Sequence, residues 1–364
     1  MKKDLTYNSE ASIDSLNKKN NNFINESLSN YNSFNYYKYD SEINNCISTL
    51  KKIQDDIFKE YQVNDILSNS KIYEVITANS LGHILIPGHS GSRDARNSHG
   101  GEYEYKHFKE SSSNHSWTFN DFSNTSIEKL KKAESIIFAH IDDINYPYPG
   151  RFDWYYSVPG DIMTNYLTNY TKSIQNSRKM INVSPSQIES RLNIKKIYTI
   201  SNHGIYDKFL DSICNASSKL ENLTGIKNLL TSNKFWELIV ALKLNHQVNP
   251  EQGGREGAHD AYDIYGEPYE YKVSKSYSWS FQDISENVLN KYYNDKAIIL
   301  AVVDKQQLKV ESIYSASPEY VVPLLEKKLN DKKDRCKSKG TTIRRLQVSL
   351  SKSDLKRINA KKLY

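Results

Sequence analysis

The chain has 364 residues, of which 38% are hydrophobic and 25% are charged, a composition typical of a globular protein with room for two domains. Its longest apolar runs, 136–141 and 297–303, are far shorter than the roughly 18 residues that cross a bilayer, which excludes a transmembrane helix. The amino-terminal residues lack the apolar stretch of a signal peptide, and the three cysteines cannot all pair. We therefore expect a cytoplasmic protein with no membrane partner.

Positive charge is concentrated at the carboxyl-terminal end. Residues 326–364 contain 14 Lys and Arg against 4 Asp and Glu, whereas the remaining 325 residues contain 35 against 39. A basic run of this kind is either a solvated helix face or a segment that binds phosphates, and charge alone leaves both interpretations open. Its candidate DNA-binding side chains are Lys332, Lys333, Arg335, Lys337, Lys339, Arg344 and Arg345.

Hydrophobic periodicity predicts helices and strands after a polar amino-terminal segment, residues 1–48. The first 45 residues include 11 Asn and 7 Ser, so this segment buries little apolar surface. Farther on, 102–108 alternates between polar and aromatic residues, which is typical of a strand. The predicted elements of the first half are helices over 53–66, 72–81 and 127–133, and strands over 102–108 and 135–141.

The second half of the sequence repeats the first. Residues 94–106 and 260–272 are identical at seven of thirteen positions, and the offset between them is a constant 166. The match continues upstream at offset 163 and downstream at offset 162, where it pairs two helix glutamates and two Trp-x-Phe motifs. The chain is therefore a tandem duplication, with a first repeat at 49–200 and a second repeat at 201–364 that contains the basic end.

The second repeat shows the same coarse order of elements. A hairpin is predicted, with one strand over 261–265, a turn at 266–268 and a returning strand over 269–274. A helix over 283–293 and a buried central strand over 297–303 follow it. The predicted fold class is α/β, in the form of an α+β arrangement with a mixed sheet.

Each repeat places two carboxylates and a lysine close together. Alternate residues of a strand face the same side, so Glu104 and Lys106 project together, and the hairpin folds Asp94 back toward them. Neighbouring carboxylates repel each other unless a cation lies between them, and a hard divalent ion with oxygen ligands satisfies both. The lysine can then position or deprotonate a water, or offset charge on a phosphate.

The alternative is a surface ion pair without a chemical role. Glu-x-Lys is common in exposed hairpins, where such a pair contributes roughly a few tenths of a kcal/mol. The turn residues have diverged between the repeats, at 96–99 and 262–265, whereas the aspartate, glutamate and lysine have not. This selective retention favours a chemical role.

The motif Asp-x(9)-Glu-x-Lys on a hairpin, after a helix that carries a glutamate, resembles that of the PD-(D/E)XK nuclease superfamily, and within it the type II restriction endonucleases. The resemblance covers 60–143 and 225–304. It departs from the family pattern where Arg93 and His259 replace the proline before the aspartate. The resemblance implies two tandem PD-(D/E)XK-like nuclease cores arranged as a pseudo-dimer.

The same resemblance implies the site residues and the cofactor. The metal ion is expected to be Mg²⁺, with Mn²⁺ as the alternative, and its implied ligands are the aspartate and glutamate of each repeat. The implied catalytic residues are Asp94, Glu104 and Lys106 in the first repeat and Asp260, Glu270 and Lys272 in the second, with Glu74 and Glu237 as supporting helix residues.

By this resemblance, the chain is expected to be a sequence-specific double-stranded DNA endonuclease with one catalytic site per repeat and per strand. Its expected partners are duplex DNA and a cognate DNA methyltransferase of the same system, which is a functional and not a physical partner. The chain itself is expected to be monomeric. Two alternatives stay open: a sequence-tolerant nuclease of repair or defence, and a non-catalytic DNA-binding protein whose clusters are only ion pairs.

Other polar and aromatic residues give weaker signals. The tryptophan and phenylalanine of each Trp-x-Phe motif are expected in the core. Asn120 and Gln282 follow these motifs and face the other way, where an amide could contact an adenine edge or the backbone. His83 and His246 are expected to be structural, and no His or Cys cluster has the spacing of a zinc site.

Overall fold

The structure is a computed structural model that describes residues 40–68, 71–87, 93–147, 149–174, 179–201, 203–250, 259–340, 343 and 346–364. Residues 1–39 of the predicted polar segment, Arg344 and Arg345 lie outside these ranges. Within the described ranges, no helix is long and apolar enough to cross a membrane.

From Asp40 onward, the described part of the first half has two helices followed by strands and shorter helices. The first helix begins at Asp40, within the predicted polar segment, and buries Ile43 and Cys46. The elements are α1 (Asp40–Tyr61), α2 (Lys71–Leu81), β1 (Ile84–Leu85), β2 (Ala95–Arg96), β3 (Glu102–Lys109), β4 (Trp117–Phe122), α3 (Asn124–Leu130), β5 (Ser135–Asp142), β6 (Arg151–Pro159), α4 (Gly160–Tyr170), β7 (Lys179–Val183), α5 (Pro185–Leu192) and β8 (Ile197–Tyr198).

The second half runs through the same series of elements. A short 3-10 helix, Leu229–Thr231, separates its first two helices, and another, Tyr292–Asn294, follows its third. The elements are α6 (Asp207–Thr224), α7 (Lys234–Leu244), β9 (Gln247–Val248), β10 (Ala261–Tyr262), β11 (Pro268–Ser274), β12 (Ser278–Phe281), α8 (Glu286–Lys291), β13 (Ala297–Asp304), β14 (Lys309–Ala316), α9 (Pro318–Ser338), β15 (Val348–Ser351), α10 (Asp354–Arg357) and β16 (Lys361–Lys362).

Both halves form a six-stranded sheet with the same strand order. The order is β1-β2-β3-β5-β6-β8 in the first half and β9-β10-β11-β13-β14-β16 in the second. In each sheet the Glu-x-Lys strand is parallel to the central apolar strand, β3 to β5 and β11 to β13, while the other pairs are antiparallel. Beside each lies a two-stranded antiparallel sheet, β4–β7 or β12–β15. The predicted mixed α/β fold class is confirmed.

One hydrophobic core joins the two halves. It contains the buried faces of α1, α2, α6 and α7 together with residues of both six-stranded sheets. Gln54 on α1 is fully buried and donates from Nε2 to the carbonyl oxygens of Lys305 (2.9 Å) and Gln306 (2.6 Å) in the second half. Each sheet packs its other face on a core within its own half. The repeats therefore share buried surface and are not simply joined by a linker.

Local backbone interactions shift four predicted elements. The helix predicted over 127–133 lies at Asn124–Leu130, because Ser123 caps it and accepts from the Ser126 N–H. The helix predicted over 53–66 ends at Tyr61, since Gln62 has a left-handed φ of 59°. The helix predicted over 283–293 begins at Glu286, because Ser285 caps it and accepts from the Val288 N–H. The strand predicted over 261–265 ends at Tyr262. There the Asp263 carboxylate accepts the backbone N–H groups of 265 and 267 and forms the turn.

Candidate active site

In the first repeat, backbone hydrogen bonds fix the predicted aspartate beside the glutamate and lysine. The Tyr105 N–H donates to Asp94 Oδ2 (2.7 Å), and the Asp94 N–H donates to the Tyr103 carbonyl (2.7 Å). Both tyrosines face the shared core, so Glu104 and Lys106 face the opposite side of β3. Lys106 Nζ forms an ion pair with Glu104 Oε1 and donates to the Tyr105 carbonyl (3.1 Å). The three residues therefore converge as the motif predicts.

The second repeat reproduces the hydrogen bonds of the aspartate and the Glu-Lys pair. The Tyr271 N–H donates to Asp260 Oδ2 (2.9 Å), and the Asp260 N–H donates to the Tyr269 carbonyl (3.0 Å). Lys272 Nζ forms an ion pair with Glu270 Oε1. Its ammonium also lies 5.4 Å from the centre of the Phe281 ring, just as Lys106 lies 5.5 Å from that of Phe119. The duplication has therefore kept the motif residues together with these particular contacts.

The helix glutamates join these clusters, and each brings a lysine with it. Glu74 forms an ion pair with Lys71, and Glu237 Oε2 lies 2.9 Å from Lys234 Nζ. Lys234 Nζ is also 3.4 Å from Asp260 Oδ1. The sequence prediction missed both lysines, although they share the offset of 163 that aligns the two glutamates.

Each cluster thus combines three carboxylates and two lysines, which gives a net charge of −1 when all five groups are ionised. We call the two clusters the first site and the second site. The first site is Lys71, Glu74, Asp94, Glu104 and Lys106, and the second site is Lys234, Glu237, Asp260, Glu270 and Lys272.

Burial raises the pKa of the glutamates in both sites. The pKa of Glu74 rises to about 7 because the side chain is buried and Asp94 lies close to it. The pKa of Glu237 rises to about 7 for the same reasons, with Asp260 as the neighbour. The pKa of Glu270 also rises to about 7 through burial, which Lys272 only partly offsets. At neutral pH these carboxylates are therefore costly to ionise, and added positive charge would stabilise them.

The lysines of the motif stay protonated. Burial by itself lowers the pKa of Lys106, but the charges of Glu104 and Asp94 outweigh it and raise that pKa above its usual value. The pKa of Lys272 is raised as well, because Glu270 and the other anionic neighbours outweigh its burial. In this state both side chains are charged donors and not bases.

The donor atoms of the sites are carboxylate oxygens. Within the described part of the chain, no group of three or more His, Cys, Asp and Glu is arranged to hold a metal ion. Glu104 is 7% exposed, however, and its buried Oε2 has no hydrogen-bond partner among the described residues. A buried, unpaired carboxylate oxygen beside a second carboxylate fits a hard cation that takes its remaining ligands from water and substrate.

A cavity of about 390 Å³ opens over the second site. Glu237, Asp260, Glu270 and Lys272 line it, and so does Gln282, the amide that follows the Trp-x-Phe motif. Its counterpart Asn120 is exposed on β4. The structure thus places one of the two candidate base-contacting amides in the cleft that leads to a site.

The basic carboxyl-terminal residues are not among the described residues that line this cavity. Lys332, Lys333, Arg335 and Lys337 are on α9, and Lys339 follows its end. Lys332 Nζ donates to the Gln347 carbonyl (2.7 Å), whereas the other four side chains are exposed. Gln347 in turn donates from Nε2 to Ser280 Oγ (2.7 Å), and Ser280 lines the cavity, so Lys332 is linked to the rim of the second site through one residue.

The two sites differ at the residue before the aspartate, where the family pattern has proline. Arg93 forms an ion pair with Glu102 in the first repeat. In the second repeat, His259 Nδ1 lies 2.6 Å from Oδ1 of Asp295, a buried carboxylate. That hydrogen bond raises the pKa of His259, although burial opposes the shift. Each replacement therefore places a paired basic group beside the motif.

The expected structural residues have structural contacts. His83 Nδ1 lies 2.7 Å from Tyr105 Oη, and His246 Nδ1 lies 2.8 Å from Tyr271 Oη, so both histidines anchor the tyrosines between the motif residues. The Trp and Phe of both motifs are fully buried: Trp117, Phe119, Trp279 and Phe281. The expectation that they belong to the core is confirmed.

No protein-family model matches the chain. None of the curated proteins with which it was compared shows significant sequence similarity to it.

Proposed function

We propose that the chain is a Mg²⁺-dependent double-stranded DNA endonuclease, a type II restriction enzyme whose two repeats act as a pseudo-dimer. The proposal is carried by one observation: the same five charged residues, with the same backbone contacts to the aspartate, occur twice in one packed molecule. Duplex DNA presents two strands related by approximate two-fold symmetry, and two equivalent sites match that symmetry.

The burial of these charges argues against simple ion pairs. An exposed Glu-Lys pair loses little hydration and adds little to stability. Burying a charged cluster has a large desolvation cost, which the ion pairs offset only in part. Lys71 and Lys234 have side chains only 8% and 10% exposed, and each lies within its carboxylate cluster. Proteins keep such unfavourable arrangements chiefly at functional sites. Two copies of one such arrangement favour chemistry over packing.

The proposed roles follow from the charges and contacts. Asp94 with Glu104, and Asp260 with Glu270, would hold the metal ion. When bound, Mg²⁺ supplies Lewis-acid polarisation of the scissile phosphate. Lys106 and Lys272, which stay protonated, orient the attacking water and stabilise negative charge on the phosphate oxygens.

The helix residues and the amides complete the proposal. Glu74 and Glu237 hold Lys71 and Lys234 against the motif carboxylates, which keeps the clusters compact. The amides Gln282 and Asn120 are proposed to contact DNA near the sites. The proposed genetic partner is a methyltransferase that modifies the same DNA sequence.

Digestion of supercoiled plasmid and phage DNA, with Mg²⁺ or with excess EDTA, tests this function. We expect discrete fragments with Mg²⁺ and intact DNA in EDTA, while circular dichroism stays unchanged because the metal is not structural. A smear would favour a sequence-tolerant nuclease. Binding without cleavage in Mg²⁺ and in Mn²⁺ would contradict the proposal. The double variant Asp94→Asn with Asp260→Asn, purified in parallel, controls for contaminating nuclease.

A further inference from the structure

A second cavity, of about 370 Å³, adjoins the cleft of the second site, and its lining crosses from one repeat to the other. The two cavities share Asn233, Glu237 and Asp260. From these residues the second cavity extends past the loop that precedes α7 and reaches Lys109, the last residue of β3. The second site therefore opens onto a lysine of the first repeat.

The chemistry of this cavity suits a phosphate group. Lys109 and Lys234 contribute positive charge, and Asn228, Thr231 and Ser232 contribute amide and hydroxyl groups. Among the described residues, the carboxylates in its lining are those of the second site, at the end that the two cavities share. A phosphodiester beside the scissile one carries a single negative charge and needs such donors.

The Lys109 ammonium is held in place without using up its donors. Lys109 Nζ lies 3.2 Å from Asp143 Oδ2. Asp143 also accepts the Ser111 N–H (2.9 Å) and the Ser111 hydroxyl (2.6 Å). Ser111 therefore stabilises this carboxylate together with the lysine. Since an ammonium has three N–H donors, one ion pair leaves others for a ligand.

We infer that Lys109 of the first repeat holds a backbone phosphate of the DNA strand that the second site cuts. The inference rests on the proposed function and deepens it, because the second site would then be completed by the other repeat. Lys109 is a positioning residue, since it lies at the entrance to the site and not among the motif carboxylates.

This inference can be tested on a plasmid that the wild-type protein cleaves, by sequencing the nicks in each strand separately. Lys109→Ala should raise KM for cutting the second-site strand about ten-fold, the effect of losing one charge-assisted hydrogen bond, with little change in kcat. The slope of log K against log salt should fall by about 0.9. Lys109→Arg should restore most of the loss, because it keeps the charge.

Lys275 provides a matched control. It occupies the position equivalent to Lys109 at the same offset of 166, is exposed, and does not line this cavity. Lys275→Ala should leave cutting of the second-site strand unchanged. The inference is overturned if Lys109→Ala slows the first-site strand as much as the second, or slows neither while its thermal unfolding matches the wild type. Failure of the proposed function would look different, because the wild-type protein would then cut no strand.

Discussion

At the scale of single residues, burial makes the helix glutamates costly to ionise. Glu74 and Glu237 have ordinary pKa values of 4.5 and reach about 7 in the fold, because they are buried next to an aspartate. Between these values the folded protein keeps protons that the unfolded chain releases. Their contribution to stability is therefore complete below about pH 4.5 and is lost as the pH rises through 7.

Replacing both glutamates with their uncharged isostere should stabilise the protein at alkaline pH. We expect Glu74→Gln with Glu237→Gln to raise the free energy of unfolding at pH 8 by about 3 kcal/mol per site, with a much smaller gain at pH 5. Buried histidines such as His83 have a lowered pKa, which reduces the free energy of unfolding as the pH falls below 6.5. This contribution is the same in variant and wild type, so it cancels in their comparison. Denaturant titration at both pH values measures this difference.

A matched control is Glu128→Gln, which changes an exposed glutamate of α3. It should leave the free energy of unfolding unchanged at both pH values, since surface charges contribute little. The double variant could instead gain the same free energy of unfolding at pH 5 and at pH 8. That result would contradict the raised pKa values, because the gain would then not come from removing an ionised carboxylate.

At the scale of elements, strong hydrophobic periodicity in the sequence correctly predicted the type and position of several helices and strands. The alternating residues of β3 and the apolar run of β5 gave strands that match the structure within one residue. The predicted helix at 72–81 likewise agrees with α2. These elements were predictable because their side-chain periodicity and burial point to the same conformation. Their ends were less predictable, since a capping serine or a left-handed residue decides them.

Contacts between distant elements could not be predicted in the same way. β4 pairs with β7 and β12 pairs with β15 across long connections, and periodicity gives no information about such pairing. The motif residues of each site were predictable because one hairpin brings them together. Lys71 and Lys234 carried a signal in their shared offset. Lys109 also has a repeat counterpart, Lys275, but the offset gives no information that Lys109 approaches the second site from the other repeat.

The basic part of α9 gives a prediction at this scale. Lys333, Arg335, Lys337 and Lys339 are exposed, so replacing them with Gln should leave stability almost unchanged. If they bind DNA phosphates, the slope of log K against log salt should fall by about 0.9 for each lost contact. Filter binding of duplex DNA at several salt concentrations measures the slope. Lys333→Arg with Lys337→Arg should keep it, and an unchanged slope in the Gln variant would mean a solvated helix face.

At the scale of the whole molecule, the two halves combine separate charged sites with a shared hydrophobic core. Each site is built from α2 and β3, or from α7 and β11, together with the aspartate that precedes β2 or β10, all within one half. The halves nevertheless share the core formed by α1, α2, α6 and α7. Removing one charged group should therefore affect only the site that contains it. Removing a core side chain would destabilise both halves.

The separation of the two sites predicts that disabling one site abolishes cleavage of only one DNA strand. Lys272→Ala should leave the first site active, so that supercoiled plasmid accumulates as circles nicked in one defined strand, and Lys106→Ala should produce nicks in the other strand. The double variant should bind DNA and cut neither strand, because binding extends over both halves while the lysine acts only within its own site. Sequencing the nicked strands reads out each case. If either single variant stops cleavage of both strands while it still folds and binds DNA, the two-site proposal is wrong, and one repeat would serve recognition alone.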